Sequence, residues 1–277
     1  MVIGHDRIAL VSGGSSGIGL AVARLLAQEG SHVWLVARQA ERLAAALSEV
    51  KAARQNDGQL FGAISADVSD PAQAFAAVDR VVKEVGVPHF VVNSAGVARP
   101  GYFHELDLEA FRWMMDINYF GTVYMVKAVL PGMMARGSGH IVNVSSVAGF
   151  LGVFGYSAYG ASKFAISGFS DVLRAELKPH GIGISIVFPP DVHTSQLAYE
   201  SQFRPAETRA LVEGLPIMSP EAVAAIILRG VSRGHYAILP GVLVKALYWL
   251  THSLGSVATP VMDWMVARAQ RQARAQR

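Results

Sequence analysis

Six short apolar runs punctuate the first two-thirds of the chain, at residues 8–12, 32–37, 60–66, 89–96, 139–145 and 183–188. They are apolar almost throughout instead of alternating with polar residues, the pattern of parallel strands buried on both faces. Between them the apolar positions return every three or four residues. That period predicts helices over 20–27, 105–115, 119–134 and 157–179, with Ser219-Pro220-Glu221 opening another. Strand and helix alternating six times predict an α/β fold, a single domain built on a doubly wound parallel sheet. No internal repeat or linker divides it.

The pattern breaks twice. After Phe188-Pro189-Pro190, prolines and polar residues interrupt the helical stretches, so residues 190–218 read as a flap over whatever site the sheet carries. From 237 to 266 the chain turns strongly apolar, and the catalytic domain is expected to end at about residue 236. The piece of that segment lacking Asp, Glu, Lys and Arg spans 246–262, short of the twenty or so residues a membrane-crossing helix needs. Arg268, Arg271, Arg274 and Arg277 follow at every third position. Tryptophans with a basic tail suit a segment lying in the headgroup region of a membrane; packing against the domain or a second subunit is the other reading.

Composition narrows the classes. The 277 residues suit one α/β domain, and 52% apolar against 16% charged residues supplies a large core and a surface not wholly facing water. A formal net charge of +3 is too weak to argue for nucleic acid, and the absence of cysteine removes disulfides and thiolate metal sites. The first seven residues lack the apolar core of a signal peptide, which fits a cytoplasmic protein, peripheral on the cytoplasmic face of a membrane.

Candidate chemistry sits where strands end. The first strand passes into Gly13-Gly14-Ser15-Ser16-Gly17-Ile18-Gly19 and then a helix, the context in which glycines let backbone amides approach a pyrophosphate at the helix N-terminus. The second strand ends at Arg38, where an acid would bind the ribose 2′-hydroxyl of NAD; a guanidinium, with Arg42 one turn later, suits a 2′-phosphate or is a surface cation. Asp67-Val68 follow the third strand, where an adenine ring can lie. Small residues of Asn93-Ser94-Ala95-Gly96 leave room after the fourth.

The fifth strand delivers Ser146, thirteen residues before Tyr159 of Tyr159-Gly160-Ala161-Ser162-Lys163. On a helix Tyr159 and Lys163 share a face, and an ammonium beside a phenol is expected to lower the phenol's pKa toward working pH, making an acid–base pair. An exposed lysine on an amphipathic face is the plainer reading. Asn118, polar in an apolar setting between two predicted helices, is either a buried hydrogen-bonding residue or part of a proton relay.

Gly13-x-x-x-Gly17-x-Gly19, Asn93-x-Ala95-Gly96, Asn118, Ser146 and Tyr159-x-x-x-Lys163, in this order, resemble the short-chain dehydrogenase/reductase family over about residues 6–194. The resemblance implies a Rossmann fold, a nicotinamide cofactor and a catalytic tetrad of Asn118, Ser146, Tyr159 and Lys163. With Arg38 the cofactor is expected to be NADPH/NADP+. Its contacts would come from Gly13, Ser15, Ser16, Gly17, Ile18, Gly19, Arg38, Arg42, Asp67, Val68, Asn93, Ala95, Gly96, Tyr159, Lys163, Pro189, Val192 and Thr194. Ser94 departs from the asparagine common in the family. Phe188-Pro189-Pro190-Asp191-Val192-His193-Thr194, with Leu35-Val36-Ala37-Arg38 and Phe154-Gly155-Tyr156, resembles the branch that reduces the long-chain lipid ketone 3-ketosphinganine. On that likeness Ser146, Phe154, Tyr159 and Asp191 would meet substrate, with Phe150, Tyr156 and Leu197 lining an alkyl channel. Asp191 would read the substrate amine or else cap its own loop. Another lipidic ketone or alcohol (an acyl thioester, retinoid or steroid) and a non-catalytic nucleotide sensor are the competing functions; the latter has no need of Ser146, Tyr159 and Lys163 together. A homo-oligomer is left open.

Overall fold

The computed structural model describes residues 3–254 and, beyond them, Pro260, Trp264, Ala267, Arg268, Gln270 and Arg271. Arg274 and Arg277, and most of the segment after 254, lie outside the described residues. Seven parallel strands form one sheet in the order β3-β2-β1-β4-β5-β6-β7. The strands are β1 (Ile8–Ser12), β2 (His32–Ala37), β3 (Phe61–Ser65), β4 (Phe90–Asn93), β5 (Gly139–Val144), β6 (Ile182–Val187) and β7 (Ala237–Ile238). The chain winds outward from β1 to β3 and then returns to place β4 on the other side of β1. That reversal opens a crevice at the carboxyl ends of β1 and β4.

Helices cover both faces, which is why the strands are apolar on both sides. Ala9, Val11 and Leu35 pack under α1 (Gly17–Gln28), α2 (Ala40–Ala52) and α9 (Pro220–Ser232), while Leu10, Trp34 and Val91 pack under α3 (Pro71–Val85), α5 (Gly121–Arg136) and α6 (Ser157–Leu177). Alternate residues of one strand thus feed two separate cores. Helix starts follow local chemistry: the Asp70 side chain accepts from the amides of Ala72 and Gln73 with Pro71 at the first position, and Ser219 does the same for Ala222 ahead of Pro220.

Three elements differ from the pattern-based expectation. Asn118 does not lie in a gap between helices. A π-helical turn, Met115–Phe120, joins α4 (Leu108–Met114) to α5 without a break and carries Asn118 fully buried on its inner side. Second, the flap holds two short helices, α7 (Ser195–Glu200) and α8 (Ala206–Val212). Its base is clasped: Val192 and Met218 form a parallel bridge, with Met218 donating to the Asp191 carbonyl at 3.0 Å and His193 to that of Met218 at 2.9 Å.

Third, the sheet runs past residue 236, since β7 pairs with β6, and α10 (Val242–Leu254) then packs back on the domain. Its Val244 is buried, and the Tyr248 ring lies 5.2 Å from that of Phe150 and 5.5 Å from that of Phe188. The boundary expected at 236 therefore cuts through continuous structure, because a two-residue strand is too short to leave a period in the sequence. No helix among the described residues is long and apolar enough to cross a membrane.

Candidate active site

A cavity of about 990 Å³ occupies the crevice at the carboxyl ends of the strands. Gly13, Ser15, Ser16, Gly17 and Ile18 line one wall. Gly13 and Gly17 take positive φ, and a Cβ on Gly13 would stand 2.6 Å from the Ala95 amide. Only glycine lets this turn lie flat against the loop after β4. Ser16 precedes α1 without capping it through its side chain, so no side chain takes the first-turn amides beside the cavity-lining Gly17 and Ile18, and they can donate to an anion. Gly19 is set behind that wall, where a Cβ would collide with the Gly13 carbonyl. It holds the turn instead of lining the cavity.

Arg38, Arg42, Asp67 and Val68 line the far end, with Arg38 half-exposed and its Nη1 3.9 Å from Asp67 Oδ2. Ser94, Ala95, Gly96, Pro189, Val192 and Thr194 line it as well. Asn93 does not. Its Nδ2 donates to Asn143 Oδ1 at 2.9 Å, joining two residues paired in register on β4 and β5, and Asn143 in turn donates to Ser170 on α6. This asparagine ties the sheet to the helix that carries Tyr159.

Tyr159, Lys163, Ser145 and Ser146 converge at the inner end. Ser146, and Gln196 of α7, line the cavity with Tyr159 and act on its hydroxyl in the direction of a lower pKa. Lys163, also buried, donates from Nζ to the Val144 carbonyl at 3.0 Å and lies 5.6 Å from the Tyr159 ring centroid. The expected lowering of the phenol's pKa is not what this environment produces. Burial, and after it the negative charge of Glu200, holds the Tyr159 pKa well above the ordinary phenol value, against the opposing bond from Ser146. Burial likewise pulls Lys163 down to about 8, with Glu200 opposing. Desolvation outweighs the attraction between neighbours here, so the resting phenol keeps its proton.

Two adjacent serines take different roles. Ser145 donates to the Lys163 carbonyl at 3.1 Å, clamping α6 to the end of β5, whereas Ser146 faces the phenol and accepts from the Ala148 amide at 3.2 Å. Asn118 stands behind the wall. Its Oδ1 accepts from the Val97 amide at 2.8 Å, and its Nδ2 donates to the Val97 carbonyl and to Ser162, which itself bonds the Tyr159 carbonyl. Its side chain positions the loop after β4 and the tyrosine's helix, which leaves little capacity for the relay considered above.

Facing Tyr159 from the flap is a cluster that the sequence pattern does not reveal. Arg204 donates from Nη1 and Nη2 to Asp191 at 2.7 Å each, from Nη2 to Glu200 Oε1 at 2.9 Å, and from Nε to the Tyr156 hydroxyl at 2.7 Å. Among the described residues Asp191 does not cap loop amides; each of its oxygens accepts from one guanidinium fork, and its side chain, 28% exposed, lines the cavity. Burial raises the Glu200 carboxyl to about 7, with Arg204 opposing. Glu200 and Arg204 are four residues apart, but only the fold brings Tyr156 and Asp191 to them. Phe150 and Phe154 are not among the cavity's lining residues. Phe150 packs on Phe188 and Tyr248, and Phe154 meets the edge of Tyr102 at 6.1 Å while its carbonyl accepts from Thr208. Val153, Tyr156 and Leu197 line it instead.

The profile of the short chain dehydrogenase family matches residues 7–204. The chain belongs to that family. A Bos taurus protein named 3-ketodihydrosphingosine reductase is 39% identical over 231 residues, covering 82% of this chain and 69% of the relative. A Dictyostelium discoideum protein of the same name is 38% identical over 272 residues, 93% of this chain and 81% of its own. Among solved structures, a short chain dehydrogenase/reductase from Burkholderia phymatum in complex with NAD superposes with a TM-score of 0.81 at 26% identity, covering 94% and 97% of the two chains. A short-chain dehydrogenase from Sphingobium yanoikuyae in complex with NADPH gives 0.77 at 29%, covering 93% and 95%. The short-chain dehydrogenase fold and its nicotinamide-dependent oxidoreductase chemistry are therefore those of this chain. The donor set fits the cofactor: a glycine turn at a helix N-terminus, guanidinium groups at one end of the cavity, and a phenol and an amine at the other.

The serine pair yields a direct contrast. Ser145→Ala should lower stability by about 1–2 kcal/mol in urea unfolding, by removing the buried bond that ties the α6 backbone to the end of β5, while turnover stays within a few-fold. Ser146→Ala should leave the unfolding midpoint nearly unchanged and reduce kcat by about 10²–10³. The same loss of activity in both variants would remove the division of labour.

Proposed function

We propose that the chain reduces 3-ketosphinganine, a long-chain amino ketone, to sphinganine with NADPH. The observation that carries this reading is the placement of buried Tyr159 and Lys163 with Ser146 at the inner end of a cavity whose outer rim is apolar. The names of the relatives supply the substrate class; Leu215, Val242 and Leu243, which both line the cavity and stand exposed, supply a mouth suited to an alkyl chain. Each methylene taken from water into such a channel contributes about 0.8 kcal/mol.

Bound NADPH supplies hydride to the ketone carbon. Tyr159 gives its proton to the ketone oxygen as charge develops there, and Ser146 donates to the same oxygen. The raised pKa of Tyr159 suits this direction, since alcohol oxidation would need the phenolate that burial disfavours. Lys163 would hold the ribose of the cofactor, the α1 N-terminus its pyrophosphate, and Arg38 with Arg42 the 2′-phosphate. Asn118 and Ser145 act as positioning residues.

We place the mouth of the cavity at a membrane surface. On α10, Val242 and Trp249, 84% and 64% exposed, are seven residues apart on one side of the helix, with Leu243 and Leu250 beside them. The opposite side, through Val244 and Tyr248, is packed on the domain. Exposed Trp264 and Arg268 continue the aromatic and basic character.

Three measurements test this. In a panel of ketones that includes 3-ketosphinganine, a steroid and an acyl thioester, wild type should oxidise NADPH fastest with 3-ketosphinganine; Tyr159→Phe should bind NADPH normally and lose about 10²–10⁴ in kcat. Near-normal turnover in that variant would overturn the role of Tyr159. Arg38→Ala should weaken NADPH about ten- to a hundredfold and leave NADH almost unaffected; a wild type preferring NADH would refute the assignment of Arg38. In flotation with anionic vesicles at low salt, Val242→Asp/Trp249→Asp should release the protein from the lipid layer, and unchanged binding would refute a membrane role for this face.

A further inference from the structure

On the reading of the chain as a reductase of a sphingoid ketone, we propose that Glu200 is the counter-ion for the protonated amine of the substrate. It would form the subsite that separates a 2-amino-3-ketone from a plain ketone. The position follows from how the flap cluster divides its charges. One guanidinium, Arg204, faces two carboxylates, and its fork is closed on Asp191 by two bonds of 2.7 Å. Glu200 is the second carboxylate. Among the described residues its hydrogen bonds, from Arg204 Nη2 at 2.9 Å and the Tyr156 hydroxyl at 3.4 Å, both fall on Oε1, leaving Oε2 as the oxygen able to accept from a ligand.

The placement suits the chemistry of an amino ketone. Glu200, Asp191, Arg204, Tyr156 and Tyr159 all line the same cavity. The Tyr156 ring, whose hydroxyl touches Glu200, lies 5.6 Å from the Tyr159 ring, and the charge of Glu200 is felt by both Tyr159 and Lys163. In the substrate the nitrogen sits on the carbon next to the carbonyl. A ketone oxygen on the Tyr159 hydroxyl therefore directs the ammonium toward a group only a side chain away. Lys163, the other cation at this end, donates to the Val144 carbonyl. With Arg204 matched by Asp191, an ionised Glu200 leaves the flap side one negative charge in excess. A buried carboxylate in that state is held costly by desolvation until a cation reaches it. A substrate ammonium supplies that cation, and a plain ketone does not.

The test compares kcat/KM for 3-ketosphinganine and for its analogue bearing hydrogen in place of the amine, in wild type and in Glu200→Gln, with NADPH saturating and thermal unfolding followed in parallel. Wild type should favour the amino ketone at least about tenfold, and Glu200→Gln should lose about ten- to a hundredfold more on it than on the analogue. Equal losses on both substrates, or a wild type indifferent to the amine, would overturn the proposal. Should Glu200→Gln fail to fold, Glu200→Asp, which keeps the charge and draws the carboxylate back, carries the comparison: a reduced preference for the amine supports the subsite and an unchanged one refutes it. A wild type that reduces neither compound removes the sphingoid reading itself. One that reduces both equally well removes only the subsite.

Discussion

Everything at the inner end of the cavity depends on taking a lysine and a phenol out of water together. The Lys163 ammonium is tied to the Val144 carbonyl, the last residue of β5, and the Lys163 carbonyl is tied to Ser145, the residue after it. One lysine thus bonds to the strand end through both its side chain and its backbone, and α6 cannot rotate without breaking both. Gly149 completes the fit, since a Cβ there would collide with the Ser145 hydroxyl. The same burial that makes this docking rigid sets the protonation of Tyr159, so fold and chemistry share one cause.

The two halves of the site differ in how they are built. The cofactor side is backbone: glycine turn, strand ends and amides, with Asn93, Asn143 and Ser170 forming a buried ladder behind it. The flap side is made of side-chain charges. Arg204 is only 7% exposed and carries the bonds that hold Asp191, Glu200 and Tyr156 together, so truncating it would leave the buried Glu200 carboxylate uncompensated, a change that typically costs about 3–5 kcal/mol. A rigid backbone cradle opposite a flap held by ion pairs lets one wall stay constant while the other discriminates.

What was legible in the sequence was what repeats locally. Runs such as Ile8–Ser12 announce a strand because neighbours along the chain carry the signal, and the glycine turn and the Tyr159/Lys163 pair lie within one element. The features that were not legible need partners far apart in the chain. A π turn at Met115–Phe120 leaves no periodic mark beyond one extra residue, and β7 is two residues long. Nothing in residues 188–194 names Arg204 as the partner of Asp191. Phe154 looked like a channel residue until Tyr102 and Thr208, from two other segments, claimed its ring and carbonyl. The sign of the Tyr159 shift is hidden from the sequence for the same reason, since desolvation is a property of the packed interior and not of an i, i+4 spacing.

The clasp at the base of the flap has a consequence for how such proteins diverge. Because Val192 and Met218 are already joined, the chain between them is a closed loop whose ends stay put whatever its contents. Lengthening a closed loop costs little, about 0.6 kcal/mol of closure entropy for each doubling. Insertions and deletions between its short helices can accumulate while the clasp holds the two ends of the segment in place. A lineage can therefore acquire a new preference among ketones by drift within one sealed segment, without refolding the machine that delivers the hydride.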